Sequence, residues 1–249
     1  MKRIQNLPFN KFRKNIYSQN GEDGIIEEIL KRLKIGDDSW CVEFGAWDGM
    51  HLSNTFNLVK KGWNAVYIEG DGKRFEDLLG TSQEYKKIVP VHAYVSHDET
   101  SESSLDNLLK KTPIIKDYEL LSIDVDSYDL DIWESTTKYS PKIVIIEINS
   151  LVPPGILWRH TASTPGNTFS ATLNVAKNKG YTVVCHTGNL IFVRNDLLSQ
   201  LDMDDRFVLY PELLFTFETW MVRNIHVKRP SILAKILPTS ILAFINRFR

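Results

Sequence analysis

The sequence has little cysteine, almost no net charge and no long apolar run. Only two of its 249 residues are cysteines, Cys41 and Cys185, so a framework of several disulfides is excluded. Both cysteines stand in apolar runs, which indicates buried thiols in a reducing compartment. The 30 basic and 31 acidic residues give a net charge of −1. A chain balanced in this way lacks the basic excess typical of general nucleic-acid binding, and we expect no nucleic-acid partner.

Long hydrophobic segments are missing as well. No run reaches the roughly 18–20 apolar residues that a membrane-spanning helix needs. The first residues lead into no apolar stretch of the kind that a secretory signal contains. We therefore expect a cytoplasmic protein. With 43% hydrophobic and 24% charged residues, the composition is that of an ordinary globular chain, with one large domain or one domain plus an extension.

Short aliphatic runs alternate with helical patterns through the middle of the chain. The runs are continuous rather than alternating in polarity, as expected for strands that are covered on both faces. They predict strands at residues 40–44, 65–68, 87–91, 120–123 and 143–146. Helices are predicted at residues 24–33, 54–61, 75–79 and 103–111. This alternation predicts a doubly wound α/β sheet of mostly parallel strands.

The end of the core differs from a plain dinucleotide-binding fold. A helix is predicted at residues 168–179, followed by strands at 181–185 and 190–193. The four residues between these strands cannot contain a crossover helix, so the two strands must form an antiparallel hairpin. The predicted fold is therefore a Rossmann-like, seven-stranded sheet ending in an antiparallel hairpin of strands 6 and 7. It is flanked by an N-terminal arm and helix (1–35) and a C-terminal helical extension (194–249), with the core at 36–193.

The first two strands and the loop between them have the pattern of a nucleoside-binding unit. Residues 45–49 (GAWDG) form a glycine-containing loop after the first strand, and the second strand ends on Glu69. The glycines allow a ligand to approach the backbone, and the carboxylate can accept hydrogen bonds from ribose hydroxyls. This pattern indicates an adenosine-type cofactor.

Acidic and amide side chains follow strands 4 and 5, whose carboxyl ends should share one edge of the sheet. They are Asp124, Asp126, Asp129, Glu147 and Asn149. Three interpretations stay open at this point. Asp124, Glu147 and Asn149 can bind a hard divalent ion such as Mg²⁺ or Mn²⁺. The site can instead be metal-free, with Asp124 or a histidine as the base, or the acids can cap helices, for which Asp129 is a candidate.

These motifs resemble those of the class I S-adenosylmethionine-dependent methyltransferases, whose sheet ends in such a hairpin. More narrowly, they resemble the FkbM-type methyltransferases and related bacterial sugar-modifying members. The similar segments are YSQNGED (17–23), EFGAWDG (43–49), the strand ending at Glu69, IDVDSYD (123–129) and VIIEIN (144–149). The resemblance covers roughly residues 17–193. One departure is Trp47, which stands where many class I enzymes have a glycine.

The resemblance implies S-adenosylmethionine as the cofactor and assigns residues to it. The loop after strand 1 would surround the methionine part, Glu69 the ribose, the end of strand 3 the adenine, and Asp124 would face the reaction centre. The implied cofactor-binding residues are Glu43, Gly45, Ala46, Gly49, Glu69, Gly70, His92, Ala93 and Asp124. The activity implied is O-methylation of a sugar hydroxyl in a glycan or activated sugar intermediate of surface polysaccharide (capsule) biosynthesis.

A hydroxyl acceptor must lose its proton as the new bond forms, which requires a base or a metal ion. The candidates are Asp124, Asp126 and His160, the last in a loop (153–167) long enough to reach the pocket. Trp47, Tyr128 and Trp158 could form a sugar-stacking rim or simply pack. Rival functions are methylation of a phosphorylated small metabolite, a nicotinamide-dependent oxidoreductase, and a non-catalytic membrane adaptor.

Two flanking segments have their own predictions. Residues 19–23 could fold over the cofactor as a lid, with Asn20 capping the next helix. Residues 228–249 combine apolar side chains with cations and contain no acid. Such a tail can lie on an anionic membrane surface, which would make the protein peripheral at the inner membrane, or dock on the core or on a second subunit of a homo-oligomer.

Overall fold

The computed structural model describes residues 7–125 and 127–216. Within these ranges, seven strands form one sheet, and each lies within one residue of its predicted position. The strands are β1 (Trp40–Phe44), β2 (Asn64–Glu69), β3 (Ile88–His92), β4 (Leu120–Ile123), β5 (Ile143–Glu147), β6 (Tyr181–His186) and β7 (Asn189–Arg194). The helices are α1 (Glu22–Arg32), α2 (Phe56–Lys60), α3 (Gly72–Glu84), α4 (Leu105–Leu109), α5 (Asp129–Ser135), α6 (Phe169–Asn178) and α7 (Asp205–Leu209).

The strand order across the sheet is β3-β2-β1-β4-β5-β7-β6. Strands β1 to β5 are parallel, whereas β7 is antiparallel to both β5 and β6. The predicted terminal hairpin is therefore confirmed. From β1 the chain adds strands first toward β3 and then, from β4 onward, in the opposite direction. Ligands of open α/β sheets bind at such a reversal, beyond the carboxyl ends of the strands.

Both faces of the sheet are covered by apolar packing, which explains the continuous aliphatic runs. Helices α4, α5 and α6 pack on one face, around the fully buried Trp133. Helices α1, α2 and α3 pack on the other face, where the buried Cys41 and Cys185 also lie. Both cysteines are free, and burial raises the pKa of the Cys41 thiol well above its usual range. The thiols are thus packing groups, as the sequence predicted.

The helix starts differ from the prediction by up to three residues, and those of α1 and α3 have a local cause. Helix α1 begins after Gly21, which has a left-handed φ of 94°, and no side chain caps it. The prediction that Asn20 caps α1 is therefore wrong: its own backbone N–H donates to the Glu22 carboxylate at 2.7 Å. Helix α3 is longer than predicted because Asp71 caps it, accepting the N–H groups of Lys73 and Arg74. These hydrogen bonds lower the pKa of Asp71, and the one from the Arg74 N–H has the largest effect.

The described part of the C-terminal extension packs against the hairpin. The Phe215 ring stacks on the His186 ring at 5.2 Å between centroids, and the His186 Nδ1 accepts the Thr216 N–H. Burial lowers the pKa of His186 to about 3, so this histidine is a neutral packing group. The predicted amphipathic tail at 228–249 lies outside the described residues. Across the described ranges, no helix combines the length and apolar character needed to cross a membrane.

Candidate active site

An open cavity of about 780 Å³ lies beyond the carboxyl ends of β1, β2, β4 and β5. Acidic side chains dominate its charged lining. The carboxylates are Glu43, Glu69, Asp71, Asp124 and Glu147, and the described lining includes one guanidinium, that of Arg74. Five carboxylates against one guanidinium make this cavity favourable for a positively charged ligand.

Gly45 brings the glycine loop into contact with the end of β4. Its φ is +77°, and a Cβ atom at this position would lie 1.8 Å from the carbonyl oxygen of Asp124. The N–H groups of Gly45 and Ala46 both donate to the Ile68 carbonyl, at 3.0 and 3.2 Å. The loop is thereby held against β4 on one side and β2 on the other, which requires glycine at position 45.

The other two loop positions predicted to bind the cofactor do not line the cavity. Ala46 is buried, and Gly49 (φ +80°) packs close to the side chains of Tyr67 and Leu78. Both residues shape the loop from below. Their direct contact with a cofactor stays a prediction, and the structure shows both packed toward the protein interior.

Trp47 occupies the position of the middle glycine and adopts the backbone conformation that a glycine would have there. Its φ of 47° lies in the left-handed region that glycine adopts freely, at a cost of about 1–2 kcal/mol for other residues. The indole is 39% exposed and lines the cavity. The Arg74 guanidinium lies over it at 4.5 Å from the ring centroid, and the His51 ring meets its edge at 5.0 Å. These contacts offset the backbone cost.

Glu69, at the end of β2, joins the glycine loop to the turn before α3. One carboxylate oxygen accepts the N–H of Trp47 and the other accepts the N–H of Asp71, both at 2.8 Å. The side chain is 5% exposed and borders the cavity. Because each carboxylate oxygen has a further lone-pair site, Glu69 can still accept hydrogen bonds from a ligand hydroxyl.

Glu43, at the end of β1, has a mainly structural task. Its buried carboxylate accepts the hydroxyls of Ser53 and Thr55 and the backbone N–H groups of Asn54 and Thr55. These bonds organise the turn that precedes α2. Burial raises the pKa of Glu43, and the hydrogen bonds partly offset that effect. Glu43 lines the cavity, as expected, but most of its acceptor capacity is committed to the protein.

The end of β3 contributes Ala93 and Tyr94 to the cavity, beside Gly70 of the β2–α3 turn. His92, predicted to contact the cofactor, does not line it: its ring stacks on Phe75 at 4.5 Å. Tyr94 is a lining residue that the sequence reasoning missed. It is 75% exposed, and its ring fills the space where a side chain at Gly70 would stand. An aromatic residue directly after Ala93 was the available signal.

The acids after β4 and β5 divide into two groups. Asp124 and Glu147 line the cavity, and Asp126 lies outside the described residues. Asp129 is buried and accepts the N–H groups of Val125 and Ser127, so it holds the β4–α5 loop.

The predicted metal set is not assembled as expected. The Asn149 amide donates to the Pro165 carbonyl at 3.2 Å, and its oxygen accepts the Leu151 N–H. Asn149 therefore fixes the loop after β5 and does not line the cavity, which corrects its prediction as a ligand. Among residues 7–125 and 127–216, no three His, Cys, Asp or Glu side chains are grouped closely enough to bind a metal ion.

His160 is not among the residues that line the cavity. Its Nδ1 accepts the N–H of Gly166 at 3.2 Å, an arrangement that places the ring proton on Nε2. In this tautomer the Nε2–H group can donate a hydrogen bond. The contact favours His160 as a hydrogen-bond donor, and its role as the base stays a prediction.

Three rings, one from each loop after β3, β4 and β5, form a row beside Ser127, which lines the cavity. His97 stacks on Tyr128 at 4.8 Å between centroids, and Tyr128 meets the edge of His160 at 5.2 Å. We call this row the aromatic shelf. Tyr128 was predicted as part of a stacking rim and is 42% exposed. Of the three predicted rim residues, Trp47 lines the cavity, whereas Tyr128 and Trp158 do not.

Neither a protein-family model nor a curated protein matches the sequence. Solved structures are similar at low identity. The CurJ carbon methyltransferase shows 11% identity over 72% of this chain and a TM-score of 0.48. A SAM-dependent methyltransferase from Aquifex aeolicus shows 10% identity over 67% of this chain and 85% of its own, with a TM-score of 0.41. The N-terminal domain of EvdMO1, solved with SAH and D-fucose, shows 8% identity over 71% and 82%, with a TM-score of 0.44.

The chain spans 56% of the length of the CurJ methyltransferase structure. With every TM-score below 0.5, the fold assignment rests on the strand order of this chain itself. A parallel β3-β2-β1-β4-β5 sheet completed by an antiparallel β7-β6 hairpin is the Rossmann-like fold that the sequence predicted.

A glycine pair tests the close contact between the loop and β4. Gly45 and Gly180 have similar φ values of +77° and +80°, but an added Cβ at Gly180 meets nothing within 4 Å. We expect Gly180→Ala to lower the free energy of unfolding by about 1–2 kcal/mol, from backbone strain alone. Gly45→Ala should cost at least about 1 kcal/mol more, because the Asp124 carbonyl must move. Urea denaturation measures both variants, and equal losses would contradict the close contact.

Proposed function

We propose that this protein is an S-adenosylmethionine-dependent O-methyltransferase that acts on a sugar hydroxyl of a glycan or activated sugar intermediate. One observation carries the proposal: an acidic cavity lies at the reversal point of the sheet, with the held carboxylate of Glu69 at its edge. Its volume of about 780 Å³ lies within the usual range of small-molecule sites.

The residues present fit this cofactor. Glu69 would accept hydrogen bonds from the ribose hydroxyls, and the ring of Tyr94 beside Ala93 would contact the adenine. The loop at Gly45 leaves the backbone open to close approach. The five carboxylates favour a cation, and S-adenosylmethionine has a positively charged sulfur and a positively charged amino group.

The same charge pattern weighs against two rival functions. A nicotinamide dinucleotide would bring a pyrophosphate into a cavity with five carboxylates and a single guanidinium. A non-catalytic adaptor gives no reason for keeping five carboxylates around an open cavity.

When bound, S-adenosylmethionine supplies a methyl group on a positively charged sulfur, a good leaving group. The protein's own work is then to align the acceptor and to take its proton. We assign the proton acceptance to Asp124, which lines the cavity next to the glycine loop. Asp126 stays a candidate for the same task. The Nε2–H of His160 would orient an acceptor oxygen by donating a hydrogen bond.

The aromatic shelf supports a sugar as the acceptor. The apolar face of a pyranose packs well on an exposed ring, while its hydroxyls need polar neighbours. Tyr128 presents such a ring, with the imidazoles of His97 and His160 in contact with it. A place in surface polysaccharide biosynthesis, with residues 228–249 on the inner membrane, is the wider setting that we propose for this activity. Assistance by Mg²⁺ or Mn²⁺ bound at Asp124 and Glu147 is a further part of the proposal that experiment must decide.

Two substitutions separate cofactor binding from turnover. Glu69→Ala removes the ribose acceptor and loosens the loop, so S-adenosylmethionine affinity should fall at least tenfold. Asp124→Ala should bind the cofactor while turnover falls by about 10²–10⁴, the usual contribution of a positioned base. Calorimetry and a labelled-methyl assay measure these effects, with the exposed Glu84→Ala as the matched control on α3. Unchanged affinity in Glu69→Ala, or wild-type turnover in Asp124→Ala, would remove that residue from its role.

The acceptor is tested by labelled-methyl transfer to glycan, nucleotide-sugar and phosphorylated-metabolite pools. We expect label in the sugar pools, and in Tyr128→Ala a raised KM for the acceptor with cofactor affinity unchanged, because the shelf touches only the acceptor. Tyr210→Ala removes an exposed ring elsewhere and serves as the control. Label confined to phosphorylated metabolites would contradict the sugar assignment. A parallel assay with a chelator, followed by added Mn²⁺, decides whether a metal ion takes part.

A further inference from the structure

The segment from residue 13 to residue 23, which we call the arm, is fixed by two buried carboxylates. The first is Asp23. Its Oδ2 accepts the N–H groups of Ile16, Tyr17 and Ser18 at 2.8–2.9 Å and the Ser18 hydroxyl at 2.7 Å. Four donors on one oxygen hold the turn that leads to Gln19 in a single conformation.

The second carboxylate attaches the arm to the hairpin. Glu22 is fully buried, and its Oε1 accepts the Thr187 hydroxyl at 2.6 Å and the Asn189 amide at 3.2 Å. Arg13 donates to the His186 carbonyl at 3.0 Å. In the β5–β7 ladder, Asn189 is the partner of Glu147, so the arm is anchored beside the strand end that borders the cavity.

This anchoring favours a fixed wall over the predicted lid. Opening the arm would break the hydrogen bonds that Asp23 Oδ2 and Glu22 Oε1 accept from the protein. Close backbone packing adds to the constraint, since a Cβ at Gly24 would lie 2.0 Å from the Phe12 carbonyl oxygen.

Gln19 is the arm residue that lines the cavity. Its side-chain amide makes no hydrogen bond within the part of the chain that the structure describes, although the segment around it is tightly bonded. A primary amide has both donors and an acceptor to offer. The arm therefore presents one uncommitted polar group to the cavity, from a rigid support.

The sheet order indicates which part of the ligand would meet this group. Ala93 and Tyr94, at the β3 end, would contact the adenine, and Glu69, at the β2 end, would hold the ribose. The amino-acid end of the same ligand would then point the other way, toward β4, β5 and the arm. Glu147 lies on that side and would face a positively charged amino group.

We infer that Gln19 is a binding residue for the α-amino-carboxylate end of the cofactor. This inference rests on the proposed function. Its amide N–H groups donate to the carboxylate and its amide oxygen accepts from the ammonium. Because the arm is held rigidly, little ordering cost opposes these bonds.

Two ligands that differ in this end test the inference. S-adenosylhomocysteine has the amino-acid end, and 5′-methylthioadenosine lacks it but keeps the adenosine and the sulfur. Calorimetry on the full chain should show that Gln19→Ala weakens S-adenosylhomocysteine about tenfold or more and leaves 5′-methylthioadenosine unchanged. Gln19→Met, of similar size but without the amide, should behave like Gln19→Ala. Ile16→Ala, which shortens an exposed arm side chain, should bind both ligands like the wild type.

The outcomes separate this inference from the proposed function. If the wild type binds S-adenosylhomocysteine and the two Gln19 variants bind it equally well, the assignment of Gln19 is wrong and the cofactor proposal stands. Equal weakening of both ligands would mean that Gln19 supports the cavity as a whole, which also overturns the assignment. A wild type that binds neither ligand would overturn the cofactor proposal and this inference together.

Discussion

The hydrogen bonds of the Glu69 carboxylate are the interaction on which the rest of the site depends. They join the backbone at Trp47 to the backbone at Asp71, and so bind the glycine loop to the turn before α3. With the loop held there, Gly45 contacts the end of β4 and the left-handed backbone of Trp47 is maintained. A carboxylate at this position therefore serves the fold first, and its remaining lone pairs serve the ligand.

The charge of the cavity follows from a similar double use of acidic residues. Glu43, Glu69 and Asp71 each accept backbone N–H groups, which offsets the cost of partial burial while leaving negative charge at the cavity wall. A cationic donor is attracted by this charge and its neutral-sulfur product less so, which would favour exchange of product for fresh donor. In the arm, too, acidic residues fix the backbone. The buried Glu22 and Asp23 accept hydrogen bonds that hold the segment containing Gln19 against the β6–β7 hairpin.

The sequence was sufficient for the elements whose signals are local. Continuous aliphatic runs located the strands, and the rule that ligands meet strand ends found Gly45, Glu69 and Asp124. Prediction from the sequence failed where the role of a side chain depends on partners that are distant in the chain. Nothing near Asn149 shows that its amide bonds Pro165, sixteen residues later, and the tautomer of His160 depends on the backbone at Gly166. The shelf was missed at His97 because three separate loops build it, and the Asn20 cap failed because Gly21 could take the left-handed conformation instead.

The most direct test of the central claim is a crystal structure of the protein with S-adenosylhomocysteine bound. The account predicts the ligand in the acidic cavity, with its ribose hydroxyls on Glu69, its adenine beside Ala93 and Tyr94, and its sulfur above the strand ends near Asp124. Density for the ligand at any other site, or a ribose that leaves the Glu69 carboxylate untouched, would contradict it.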